Sequence, residues 1–259
     1  VRSVERYFAK MPALPKPRQI AALEKDGPEL YRRLNTGSAE EKRLAQQDAR
    51  ERSRDALFDL TIKWLQLASL PEYSPAEKWL LFLSDVWVVG VEKVKNSALI
   101  YQHQDILRQS ALGSAVSLAK AVSRSPAMIV YLDLQQSKPE APNENFAREL
   151  FELFTLGEGN YTENDIKQAA RAFTGYRQRQ GEFAFARRQH DGGTKTIFGH
   201  SGRYTGDDVI GLVFKQKAAG TFLPKEMVRF YLSETPLPAG HTEALGAWWA
   251  GEGYDLRKL

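Results

Sequence analysis

Apolar residues recur with helical spacing along most of the chain. Ser38 followed by Glu41 has the form of a capping box, and a pattern rich in Ala, Leu, Arg and Glu runs on to about Leu70, strongly charged in its first half. Residues 1–73 are therefore expected to form a helical arm with a solvated face, ahead of a helical core over residues 74–259. Ser74 and Pro75 supply a cap and a first-turn proline. Trp79, Phe82, Leu83, Val86 and Trp87 then make a stripe wide enough for a buried helix. Positions 97–111 and 114–122 continue the series, followed by a short helix opened by Ser125 and Pro126. The polar stretch 135–143, with two prolines, reads as a loop.

Residues 142–175 carry the densest pattern. Asn143 can cap a helix on which Phe146, Leu150, Leu153 and Phe154 recur at i, i+4, i+7 and i+8, until Gly157 and Gly159 stop it. Thr162 with Asp165 resembles a second capping box, and Ile166, Ala169, Ala170 and Phe173 form the next stripe, so the pair predicts a helical hairpin. Glu144, Arg148 and Glu152 fall four apart, which predicts an ion-pair ladder with Arg148 buried between its carboxylates.

The period changes to two between Tyr176 and Tyr204. Phe183 and Phe185 alternate with alanines, Asp191, Gly192 and Gly193 give turn chemistry, and residues 195–198 are rich in β-formers, which predicts a two-stranded hairpin. A lone hairpin is marginal in water, so the two phenyl rings are expected to pack on the helices and leave Arg177, Arg187 and Arg188 in solvent. Helical spacing returns near Asp207 and again over 222–231. The expected fold is mainly α, a single multi-helix domain with a small β-hairpin insertion near residues 176–204.

Composition narrows the chemistry. With 259 residues, 42% of them hydrophobic, the chain can bury a full core, yet no apolar run approaches a membrane span and no signal peptide is visible. The absence of cysteine excludes disulfides, thiol catalysis and thiolate metal sites, and the four histidines are scattered, so neither a metal nor a cofactor is expected. No phosphate loop, dinucleotide fingerprint, zinc helix or nucleophile elbow occurs. A basic and aromatic run from Arg171 to Lys195 suits an anionic polymer. The net charge of +4 is too modest to point to nucleic acid.

One candidate site joins the start of the signature helix to the loop at His190. Glu144, Glu149 and His190 are candidate acid and base groups, and Asn143, Asn145, Arg148, Asp191 and Lys195 are candidate binding groups, with Arg177, Arg187 and Arg188 beside them. The same residues also fit purely structural roles. Asn143 to Asn145 can be a cap with a first-turn acid, Arg148 a tie between glutamates, and Asp191 the acceptor of its own turn.

Several separated blocks carry a family resemblance: residues 106–114, 123–133, the Asn-Glu-Asn-Phe-Ala-Arg-Glu run at 143–149, the His-Asp-Gly-Gly-Thr-Lys loop at 190–195, and residues 222–236. Together they resemble the bacterial domain of unknown function 1800 family from about Ser74 to Leu259, with a looser match before. Two departures stand out. The family's Trp-His-Asn-His-Phe block appears here as Leu83, Ser84, Asp85, Val86 and Trp87, and the histidine of its Arg-His-Ala-Leu-Gly run as Ser110. The resemblance implies an exported protein at a periplasmic or cell-surface address, with an exported sulfatase-like protein or an acidic envelope polymer as partner. It also implies that the closing motif at 253–259 continues in relatives, so both ends are expected to be trimmed. The expected function is that of a cell-envelope binding or scaffold module. The alternative is a hydrolase-like enzyme using the glutamates and His190.

Overall fold

Side-chain caps or a first-turn proline set most helix starts in the computed structural model, which describes residues 5–238 and 240–259. The arm is a pair of helices. Helix α1 spans Arg18–Thr36 and α2 spans Ala39–Ala68, and α2 opens on the capping box expected at Ser38 and Glu41, with both of its bonds formed. Helix α3 (Ser74–Val86) carries Pro75 in its first turn, while Asn96 and Ser114 cap α4 (Ser97–Ser110) and α5 (Ala115–Ser123) by accepting from Ala98 and Val116 backbone N–H groups. Helix α6 (Pro126–Tyr131) closes this half. Helix α4 is shared between two apolar clusters. Its Leu107 joins Trp79, Leu83, Leu118 and Phe146 in the main core, and its Leu99 and Tyr101 meet Ile20, Ala56 and Leu60 from the arm.

Where α3 faces α4 the interface also holds charge. Arg108 binds Glu77 through both guanidinium nitrogens, one at 2.9 Å, with the two side chains 5% and 1% exposed. Trp64 Nε1 donates to the same carboxylate at 3.0 Å, and Arg108 also donates to the Pro12 carbonyl at 2.7 Å. On the same helix His103 is buried. Its Nε2 donates to the Trp87 carbonyl at 2.9 Å, so Nδ1 accepts from the Ser125 hydroxyl at 3.0 Å. Burial disfavours the charged ring and pushes its pKa down to about 4.

The signature helix departs from a plain α-helix. Helix α7 (Asn145–Glu149) runs on as a π-helical turn over Leu150–Thr155. The wider turn shifts the buried face by a position, so Phe151 is fully buried and Leu153, expected in the core stripe, is 52% exposed. Helix α8 (Glu163–Ala172) follows, opened by the Thr162 and Asp165 capping box.

The segment after α8 holds two hairpins rather than one. Strand β1 (Tyr176–Arg179) pairs with β2 (Glu182–Phe185), and β3 (Lys195–Ile197) pairs with β4 (His200–Gly202), both antiparallel. Each turns through two residues of positive φ, Gln180 (52°) with Gly181 (86°) and Phe198 (49°) with Gly199 (76°), the geometry that matches the twist of paired strands. The Asp191–Gly193 turn lies between the hairpins instead of closing one. Phe198 is held in this conformation by its N–H bond to Asp165 at 2.7 Å and by its ring against Phe151.

Helices α9 (Gly206–Val213), α10 (Lys217–Tyr231) and α11 (His241–Gly251) complete a mainly α domain. The backbones of α10 and α11 nearly touch, because Gly220 and Gly246 face each other. A Cβ on either would lie 2.8 Å from the other's carbonyl oxygen. Beyond α11 the chain returns to the α4–α5 connection, where Ala115 donates to the Tyr254 carbonyl and Leu256 to that of Gly113.

Candidate functional site

At the signature helix the polar groups are bonded to one another. Asn143 accepts from the Asn145 N–H at 2.9 Å while its own N–H donates to Ser137 Oγ at 3.0 Å, so it ties the preceding loop to the helix start. Asn145 is exposed. Arg148 is not the buried organiser that the ladder predicts. Its side chain is 37% exposed, and it grips Glu163 of α8 at 2.8 Å through both terminal nitrogens, with Glu144 at 3.3 Å. Glu152 instead accepts from the Tyr161 hydroxyl at 2.5 Å, since the π turn carries it off the face that four-residue spacing assigns. Glu149 is half-buried. Burial, and then the charge of Glu152, raise its pKa.

The His190 loop is likewise knit together. Arg171 holds the Asp191 carboxylate at 2.7 and 3.2 Å, which, with the Gly193 N–H bond, keeps that carboxyl below the usual range. Lys195 is wholly buried and donates to the carbonyls of Asp191 and Gly193 at 2.5 and 3.0 Å. Burial lowers its pKa, but its donors are already turned onto the loop backbone. His190 Nδ1 donates to the Thr174 carbonyl at 3.0 Å.

The two halves of the candidate site are not bonded to each other among the described residues. Glu163 starts α8 and Arg171 lies near its end, so the Arg148 and Asp191 clusters sit about 12 Å apart along the helix axis. No hydrogen bond or ion pair joins Glu144 or Glu149 to His190 among the described residues.

The first hairpin points elsewhere. Arg177, expected in solvent, is half-buried because its guanidinium donates to the Ser137 and Leu134 carbonyls at 2.8 and 3.2 Å and to Gln189 at 2.9 Å. It fastens the hairpin to the loop after α6. Arg187 and Arg188 are exposed, Phe183 packs against the main core, and Phe185 remains 38% exposed beside Tyr176 and His190.

The Gln180–Gly181 tip forms one wall of an open groove of about 1320 Å³, whose other walls are α1, α2, α4, the loop before α4, the end of α5, and α6 with the segment after it. Six cations line it, Lys16, Arg50, Lys93, Lys95, Arg124 and Arg179, against three acids, Glu24, Asp105 and Glu182. Lys16, Lys93 and Arg124 are paired with Glu24, Asp133 and Asp207 at 2.8, 2.5 and 2.6 Å. Arg50, Lys95 and Arg179 are exposed and make no ion pair among the described residues. None of Glu144, Glu149 and His190 lines the groove. Of its cations only Arg179 belongs to the basic run, because the rest are gathered by the fold from distant segments.

Among the described residues no helix is long and apolar enough to cross a membrane, and no group of three or more His, Cys, Asp or Glu is placed to hold a metal ion. No match is found among curated proteins or among solved structures. A family model does match, and it takes in the arm as well as the motif-bearing core. That model covers residues 2–259 and is described as protein of unknown function (DUF1800), and the chain belongs to this family.

Proposed function

We propose that the protein is a binding module of the bacterial cell envelope that takes an anionic polymer along the groove between the arm and the first hairpin. The observation that carries this reading is the excess of cations on the groove wall, with Arg50, Lys95 and Arg179 free of acidic partners among the described residues. Such charges raise the local concentration of an anion and speed its arrival. The groove volume exceeds the range of about 300 to 1,000 Å³ usual for small-molecule pockets, which suits an extended chain that enters from solvent. An exported address, and a sulfatase-like protein as companion, rest on the family resemblance alone. Hydrolysis is the weaker reading, because Arg148, Asp191 and Lys195 are spent on internal bonds and no hydrogen bond or ion pair links Glu144 or Glu149 to His190 among the described residues.

Retention on immobilised acidic polymers tests the proposal. The wild-type protein should be held at low salt and released as ionic strength rises, since exposed charges are screened beyond about 8 Å at 0.15 M. Arg50→Glu, Lys95→Glu and Arg179→Glu combined should abolish retention, whereas Arg187→Glu with Arg188→Glu should leave most of it. Unchanged retention in the folded triple variant would sink the groove as the binding surface. Fractionation of cells making the protein checks the address separately.

A further inference from the structure

We infer that the polymer is a carboxylated polysaccharide, read by amides as well as by charge; this rests on the groove being the anion-binding surface. The amide content of the groove is the new observation. Gln46, Gln102, Gln135 and Gln180 line it, and none of their side chains has a hydrogen-bond partner among the described residues. Asn96 and Gln178 use their oxygens to accept from Ala98 and Gly181 N–H groups, at 3.0 and 3.2 Å, which leaves their NH₂ groups turned to no protein acceptor.

Donor and acceptor balance decides between polymer classes. A polyphosphate or a nucleic-acid backbone offers acceptors almost exclusively, so the best lining for it is all donors. This lining is mixed. Each glutamine brings an acceptor oxygen beside its two donors, and Glu182 and Asp105 bring further acceptors, to which a phosphate chain has no donor to offer. Sugar hydroxyls both donate and accept, so a polyol satisfies both kinds of group at once.

The unpaired cations then ask for a negative charge on that polyol. A carboxylate matches the fork of an arginine with two parallel bonds, which Arg50 and Arg179 can supply. Tyr31 adds an apolar surface. Its side chain lines the groove with 54% of the residue exposed, a ring against which the C–H face of a pyranose can lie. Charge alone would not separate a polyuronate from a polyphosphate. The amides and acids do.

The test compares polygalacturonate, its fully methyl-esterified form, long-chain polyphosphate and single-stranded DNA by titration against the whole chain. Polygalacturonate should bind at least about tenfold more tightly per charge than polyphosphate, given that several added hydrogen bonds each contribute to the difference. The esterified polymer keeps the sugar and loses the charge, so its binding should fall away, a result that needs no variant. Gln102→Leu with Gln135→Leu should weaken polygalacturonate binding about tenfold and leave polyphosphate within about twofold. Equal or tighter binding of polyphosphate or DNA, abolished by the Arg50, Lys95 and Arg179 reversal, would overturn the polysaccharide and leave the groove standing. Binding of every polymer unaffected by that reversal would overturn both. Equal binding of the esterified polymer would overturn the role of the carboxylate.

Discussion

Two arginines make nearly the same bond in different surroundings. Arg108 on α4 and Arg148 on α7 each grip, with two nitrogens, a glutamate from a neighbouring helix. Glu77 and Arg108 are sealed between α3, α4 and the Trp64 ring, whereas Arg148 stands over a third exposed with Glu163 wetter still. The contrast teaches that spacing on a helix says which charges can meet but not what the meeting is worth. A buried pair has given up hydration on both sides, so breaking it leaves a charge with nowhere to go. An exposed pair only exchanges one good solvent for another, and its median worth is under about 1 kcal/mol.

Breaking the buried pair should give the largest effect. Arg108→Ala strands the Glu77 carboxylate with Trp64 as its remaining partner, and should cost about 3 to 5 kcal/mol in urea melts. Arg108→Met combined with Glu77→Leu should recover most of that loss, because apolar pairs of similar volume replace buried ions at little cost. A single variant as stable as the wild type would show that water reaches the pair.

Acid sharpens the same contrast through His103. The folded protein keeps this ring neutral to about pH 4, whereas an unfolded chain takes up the proton near the ordinary value of about 6.5. Between these values the unfolded state binds more protons, so the stability is complete above about pH 6.5 and declines as pH falls, by about 3 kcal/mol once below 4. His103→Gln should flatten that part of the pH profile when the two proteins are melted side by side. A parallel decline in both would assign the acid sensitivity elsewhere.

The exposed arginine should give the smallest effect. Arg148→Ala should cost about 1 kcal/mol or less, and even this difference should vanish in 1 M NaCl, where the screening length is about 3 Å. The Arg108→Ala deficit should survive that salt. A salt-resistant loss above about 2 kcal/mol at Arg148 would mean that the signature helix is buried by a partner or by more chain.

What the sequence reveals of this fold is what local chemistry decides. The capping boxes at Ser38 and Thr162, the Asn96 and Ser114 caps and most helix stripes are legible, because each depends on residues within a turn or two. Helix α1 is not, since Gly27 and Pro28 mark a break by local rules, and the packing of Ile20 and Leu23 against α2 and α4 overrides them. The strand region near 176–204 is legible from its period of two, but its turns and pairing hide for a related reason. The turns use Gln-Gly and Phe-Gly where Asn-Gly or Asp-Gly would announce themselves, and Phe198 accepts its strained φ only because Asp165 and Phe151 hold it. The π turn moves Leu153 out and Phe151 in, which no strict helical period anticipates. The candidate residues are all read at their positions, but whether they face a ligand or one another depends on α8 separating them and on a groove drawn from residues 16 to 183.

The return of residues 254–256 to the start of α5 sets an order of events during synthesis. Ser114 Oγ donates to the Gly253 carbonyl across 139 residues, and Ala115, at the first position of α5, donates to Tyr254. At about 5 to 20 residues per second, the ribosome takes roughly 7 to 28 s to add the intervening segment. Throughout that interval the leading end of α5 has water where its partner will be, and the adjoining core cannot close over it. The nascent chain therefore carries exposed apolar surface beside α5 for that interval, as Phe82 of α3 does while it waits for Phe230 and Tyr231, which makes these surfaces natural landing places for a holdase chaperone.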